Sequence, residues 1–164
     1  MTPQLARQLA RYNAWMNDKL YTHAEALGEE GRRLERGAFF GSIHATLAHL
    51  LKADRAWLNR FTDAGHQLTP PDDFPALRAA RQALDADILA FAASLTPDWL
   101  GEEMDWTSVF TGISRRQPRW LLVAHMFNHQ THHRGQVTAL LMQAGIDPGV
   151  NDLQALPADA FAER

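Results

Sequence analysis

Apolar residues recur at gaps of three and four along most of this 164-residue chain, and that spacing is the strongest constraint on its fold. Leu5, Leu9, Tyr12, Met16, Leu20 and Leu27 form one stripe, with His23 in phase. A repeat near 3.6 residues belongs to a helix with one apolar face. Thr2 can cap this helix and Pro3 suits its first position, which predicts a helix over 3–27. Four glycines then loosen the chain: Gly28, Gly31, Gly37 and Gly41. Ser42 can cap a second helix, "SIHATLAHLLKADRAWLNRFTDAG", with Gly65 as its end. This segment is apolar over most of its circumference, so burial on several sides is expected.

"HQLTPPDD" breaks the pattern. Asp73 can cap a third helix with Phe74, Leu77, Leu84, Ile88, Phe91 and Leu95 on one face. The stretch "TPDWLGEEMDWTSVFTGISRRQP" reads as irregular, with a small hairpin around Gly112. Pro118 opens the last long helix, which runs to Gly145, and the tail from Ile146 has room for one short helix. Four long helices without strong strand signals predict an all-α four-helix bundle, one domain over 1–164, with a short irregular or hairpin insertion before the last helix. Two long connections leave a simple up-down-up-down order unassured.

The composition, 46% hydrophobic and 21% charged, is enough to form a core without staples. With no cysteine, disulfides, thiolate metal sites and cysteine nucleophiles are excluded. A net charge of −3 gives no attraction to polyanions, so nucleic acid is not expected as a partner; Arg115, Arg116 and Arg119 read as a solvated loop and helix start. No signal peptide and no membrane span are read, so the expected location is cytoplasmic.

Four of the eight histidines, His125, His129, His132 and His133, fall within nine residues. At about 100° per residue, His129 and His133 share the side of the helix that carries Leu122, Met126 and Leu140, in the middle of its apolar face. His125 and His132 lie toward the margin. Two imidazoles at i and i+4 can present nitrogens to one ion, but a third ligand must come from elsewhere. Helix two offers His44 and His49, and His49, among Leu47, Leu50 and Leu51, is the more buried candidate. His23, His44 and His66 read as structural. There is no HExxH, no Glu-x-x-His pair, no phosphate loop and no nucleophile elbow.

Three segments carry a resemblance: "YNAWMNDKL" (12–20), "GSIHATLAHLLKADRAWL" (41–58) and "HMFNHQTHHRGQVTALL" (125–141). In this order and spacing the chain resembles the DinB-like (damage-inducible) family, which is similar to the bacillithiol S-transferases and mycothiol-dependent maleylpyruvate isomerase. The resemblance implies an up-down-down-up bundle, a homodimer, and a divalent metal held by three histidines, here His49, His129 and His133. His132 would then stand behind the ligands as an orienting neighbour, and Trp15, Asn17 and Trp57 would line a pocket or serve bundle packing. Three nitrogens suit zinc or nickel, and also iron or copper. Two function classes compete. One is a metal-dependent enzyme passing a low-molecular-weight thiol to a small-molecule electrophile, or a related hydrolase or detoxification activity. The other is a non-catalytic, stress-associated metal-binding or interaction protein.

Overall fold

The fold is taken from a computed structural model, which describes residues 1–108 and 111–158. The four long helices begin where the capping residues stand. Helix α1 (Pro3–Ala26) is capped by the Thr2 hydroxyl, which accepts from the Leu5 amide. Helix α3 (Ile43–Thr62) is capped by Ser42 and α4 (Phe74–Ser94) by Asp73. Helix α6 (Arg119–Gln143) follows Pro118, and Gly145 takes the left-handed φ of 79° that ends it. Each cap satisfies a backbone N–H that the first helical turn leaves unpaired.

Several local features differ from expectation. Helix α3 stops before Gly65, because Asp63 itself adopts the left-handed turn. The glycine-bearing loop contains a short helix α2 (Gly28–Arg33). Before α6 come a five-residue helix α5 (Pro97–Gly101), capped by Thr96, and an antiparallel hairpin. Its strands, β1 (Glu103–Thr107) and β2 (Ser114–Pro118), pair from Glu103↔Pro118 to Thr107↔Ser114. Part of the segment expected around Gly112, residues 109–110, lies outside the described residues, as do the last six of the tail. In the tail a single 3-10 turn, Leu153–Ala155, forms.

Cross-helix contacts fix the helix directions. Asn17 meets Asp85, and Arg78 meets Asp18 and Glu25, so α1 and α4 are antiparallel. His49 meets His133 while Trp57 meets His125, so α3 and α6 are antiparallel. His44 with Phe74, Asp54 with Arg81, and Phe61 with Phe91 run in step, so α3 and α4 are parallel. The order is therefore up-down-down-up, and Met16, Leu20, Leu47, Leu51, Leu84, Ile88, Met126 and Val137 are among the side chains filling the centre. Among the described residues no helix is long and apolar enough to cross a membrane.

Two faces are rotated from the sequence reading. In α1 the buried positions are Ala6, Ala10, Tyr12, Asn13, Met16, Asn17, Leu20, Tyr21 and Ala24, so Tyr12, Met16 and Leu20 of the expected stripe are buried while Leu5 is exposed. Small alanines let the neighbouring helices approach, and the two asparagines are drawn inward by polar partners. In α3 burial is confined to one face, roughly 160° wide by helical phase, containing Ile43, His44, Leu47, Leu50, Leu51, Asp54 and Leu58. The expectation of burial on several sides fails because much of its apolar circumference is alanine: Ala45, Ala48, Ala53 and Ala56 sit half-buried on the other side.

A polar network crosses the core. Arg81 donates to Asp54 at 2.6 Å and pairs with Asp85 at 2.8 Å. Asn13 and Asn17 donate to Asp85 at 3.1 and 2.9 Å, and Arg134 donates to the Asn13 side-chain carbonyl. Burial alone would lower the pKa of Arg81, but Asp85 and Asp54 together raise it, and the guanidinium stays charged. All four long helices are tied by this one set of charges, whose loss on one side would leave the other buried and unpaired.

Candidate metal centre

His49 on α3 and His129 and His133 on α6 converge where the two helices meet. The Nε2 of His129 lies 3.4 Å from the Nε2 of His49 and 3.0 Å from the Nε2 of His133. One ligand atom from each ring falls within 4.8 Å of the other two. Three nitrogens about 2.0–2.1 Å from a tetrahedral ion would stand about 3.3 Å apart, so the observed spacing fits a shared ion. The group can therefore hold a metal. No fourth histidine, cysteine or carboxylate joins it among the described residues.

The orientation of His133 is set by its own helix. Its Nδ1 lies 2.7 Å from the Oε1 of Gln136. A carbonyl oxygen can only accept, so the proton sits on Nδ1 and the Nε2 lone pair points into the cluster. Phe40 stacks on the His49 ring at 4.0 Å between centroids and covers it from the α2–α3 loop. Burial, followed by the charge of His133, lowers the His49 pKa to about 4. Burial, then His133 and His49, lower that of His129 to about 3. His133 is lowered too, mainly by burial. All three rings are thus neutral near pH 7, the form that binds metal. The Nδ1 of His129 is buried without a hydrogen-bond partner.

The cluster lies at the edge of the α6 buried face, not in its middle. Val123, Met126, Gln130, Val137 and Leu141 are buried in α6, which puts the centre of that face roughly 130° from His125 by helical phase. His133 is buried at 7% exposure and His129 is half-buried. Likewise His44, at 5% exposure, is more buried than the half-buried His49. The order expected from sequence is reversed because His44 lies at the margin of the α3 buried face and His49 beyond its other edge, by helical phase. His44 instead faces the Phe74 ring, and its Nε2 lies 3.7 Å from Asp72.

A family model described as the DinB family matches residues 1–163. The chain belongs to the DinB family. It is 26% identical over 149 residues to "Protein DinB" of Bacillus subtilis (strain 168), covering 85% of this chain and 86% of that protein. It is also 32% identical over 85 residues to "Uncharacterized protein YrdA" of the same organism, covering 49% of this chain and 50% of that one.

Within this DinB-family chain the other expected site residues separate. Trp57 stands beside the cluster: its ring is 5.1 Å from His125, which is 6.0 Å from His129. His132 is exposed, and its ring Nε2 lies 3.4 Å from the Gln136 amide nitrogen. Asn17 is buried in the core network on Asp85. Trp15 packs beside Tyr12 and under Lys19, both of which bond to the C-terminal tail. The structure thus brings neither Asn17 nor Trp15 to the histidines. Phe40 and Gln136 were missed. For Gln136 a signal existed, a polar side chain at i+3 from a ligand candidate; for Phe40, on a glycine-rich loop, there was none.

Proposed function

We propose that the chain holds one divalent ion, zinc or nickel before iron or copper, on His49, His129 and His133, and transfers a low-molecular-weight thiol to a small electrophile. The observation that carries this reading is a three-nitrogen cluster with no fourth protein ligand among the described residues, set at a helix edge instead of in the core. Three ligands with an open side are the catalytic pattern, whereas structural sites are usually closed by four. A divalent ion there would favour the deprotonated, nucleophilic form of a thiol or a water at the open side. The protein's part is to keep the rings neutral by burial, to fix the His133 tautomer through Gln136, and to cover His49 with Phe40. His125 stands beside His129 and outside the ligand trio.

The test is direct. Untagged protein should carry about one divalent ion per chain by elemental analysis, consistent with three converging nitrogens. With monochlorobimane and bacillithiol, mycothiol or glutathione it should conjugate thiol in a metal-dependent way, and His49→Ala should drop to background with unchanged circular dichroism. Bound metal without turnover of any thiol would leave the non-catalytic metal-binding or interaction reading, which the 82% exposed Phe39 ring next to Phe40 also suits. We further propose a homodimer, because Leu121, Trp120 and Met142 leave apolar surface exposed on α6. Light scattering should return twice the 18.4 kDa chain mass, and the chain mass alone would rule the dimer out.

A further inference from the structure

A cleft of about 410 Å3 opens between the end of α3 and the hairpin, lined by Arg60, Met104, Asp105, Trp106, Thr107 and Ser114. We propose that this cleft binds a carboxylate of a small substrate on Arg60. Arg60 is half-buried, and its guanidinium lies over the Trp57 ring at 4.9 Å and donates to the Ala56 carbonyl at 3.0 Å. Arg60 forms no salt bridge with any described residue. Elsewhere the hairpin neutralises its arginines: Arg116 pairs with Glu103, and Arg119 with Glu102. A half-buried guanidinium beside a cleft, left without a carboxylate partner, matches a ligand that supplies one.

The placement suits a molecule whose other end reacts at the histidines. Arg60 folds back over Trp57, toward the N-terminal end of α3 as long helical side chains do. Its guanidinium thus sits near the level of residues 56–57, about 11 Å from His49 along the axis by helical rise. Aromatic rings line the interval: Trp106 touches Trp57 at 5.4 Å, Trp57 touches His125, and His125 touches His129. Burial lowers the Arg60 pKa from its ordinary value, as expected of a cation drawn from water without a counterion. A planar guanidinium held by a ring and a carbonyl keeps its remaining N–H groups for a carboxylate.

The inference rests on the thiol-transfer reading for which end of the ligand reacts, but not for where the charged end binds. Calorimetry on the zinc-loaded full chain tests it with two probes, glutathione and its diethyl ester. The native chain should bind the ester about tenfold or more weakly. Arg60→Met should bind glutathione as weakly as the ester, with Arg60→Lys between. Both variants should keep their metal content and helicity. Equal binding of the two probes to the native chain, no binding of glutathione at millimolar concentration, or an acid-over-ester preference that survives in Arg60→Met would overturn it. Charge preference without turnover would sink the transfer reading and leave this one standing. Equal turnover of glutathione and its ester would do the reverse.

Discussion

Nδ1 of His133 lies 2.7 Å from Oε1 of Gln136, one turn further along α6. The same amide presents its nitrogen to His132 at 3.4 Å. Gln136 thus fixes the proton of one ring and connects it to a second, exposed one. In metal sites such partners set the tautomer, and their loss costs about 10–100-fold in affinity. Gln136→Leu should therefore lower zinc affinity by that factor in a chelator competition, with unaltered helicity. Gln136→Glu, which keeps the acceptor, should retain most of it. Unchanged affinity in Gln136→Leu would show that the contact does not orient His133.

The lowered histidine pKa values set a second expectation. An ordinary imidazole near 6.5 would lose metal as pH falls below about 6. Here His49 titrates at about 4 and His129 at about 3 in the folded chain. All three ligand pKa values are lowered, so metal affinity should fall less steeply on acidification than at a site of ordinary imidazoles. For the metal-free protein the sign is fixed by linkage. Between the folded values and 6.5 the unfolded chain binds more protons than the native one, so stability rises with pH. Thermal scans of metal-free protein should show the midpoint falling from pH 6.5 toward pH 4, and His129→Phe should flatten that slope. Asp54 and Asp85, their pKa values raised by burial, act with the opposite sign. The histidine share is therefore read as the difference in slope between the native chain and His129→Phe, and no difference would contradict the buried, neutral rings.

How much of this was legible from the sequence depends on how local each cause is. The caps Thr2, Ser42 and Asp73 act within three residues, and the helix starts they predict agree with the structure. The convergence of His49, His129 and His133 was readable as a spacing plus a resemblance, but their depth was not. Which flank of α3 faces α6 is decided by packing across the bundle, so His44 and His49 exchanged their expected burial. Asn17 reads from the sequence either as a pocket residue or as one that serves bundle packing, and the packing role is the one found: Asn17 and Asn13 are buried because Asp85 and Arg134, more than sixty residues away in sequence, supply their partners. The hairpin register depends on pairs such as Asp105↔Arg116, which no one-strand pattern reveals.

The core network gives the remaining prediction, and it separates folding from the metal centre. Asp54 and Arg81 are both almost fully buried, at 1% and 2% exposure. Removing one member of such a pair leaves an uncompensated charge, which typically costs about 3–5 kcal/mol. Asp54→Ala should therefore shift the urea midpoint strongly, because Arg81 would keep only Asp85. Asn17→Ala removes a hydrogen-bond donor from a carboxylate that Asn13 still serves, and should cost about 1–3 kcal/mol. Neither residue touches the histidines, so both variants, kept cold and folded, should bind the same metal equivalent as the native chain. A loss of metal from folded Asn17→Ala, with little change in urea midpoint, would instead place Asn17 in the working site, against the contacts that now account for it.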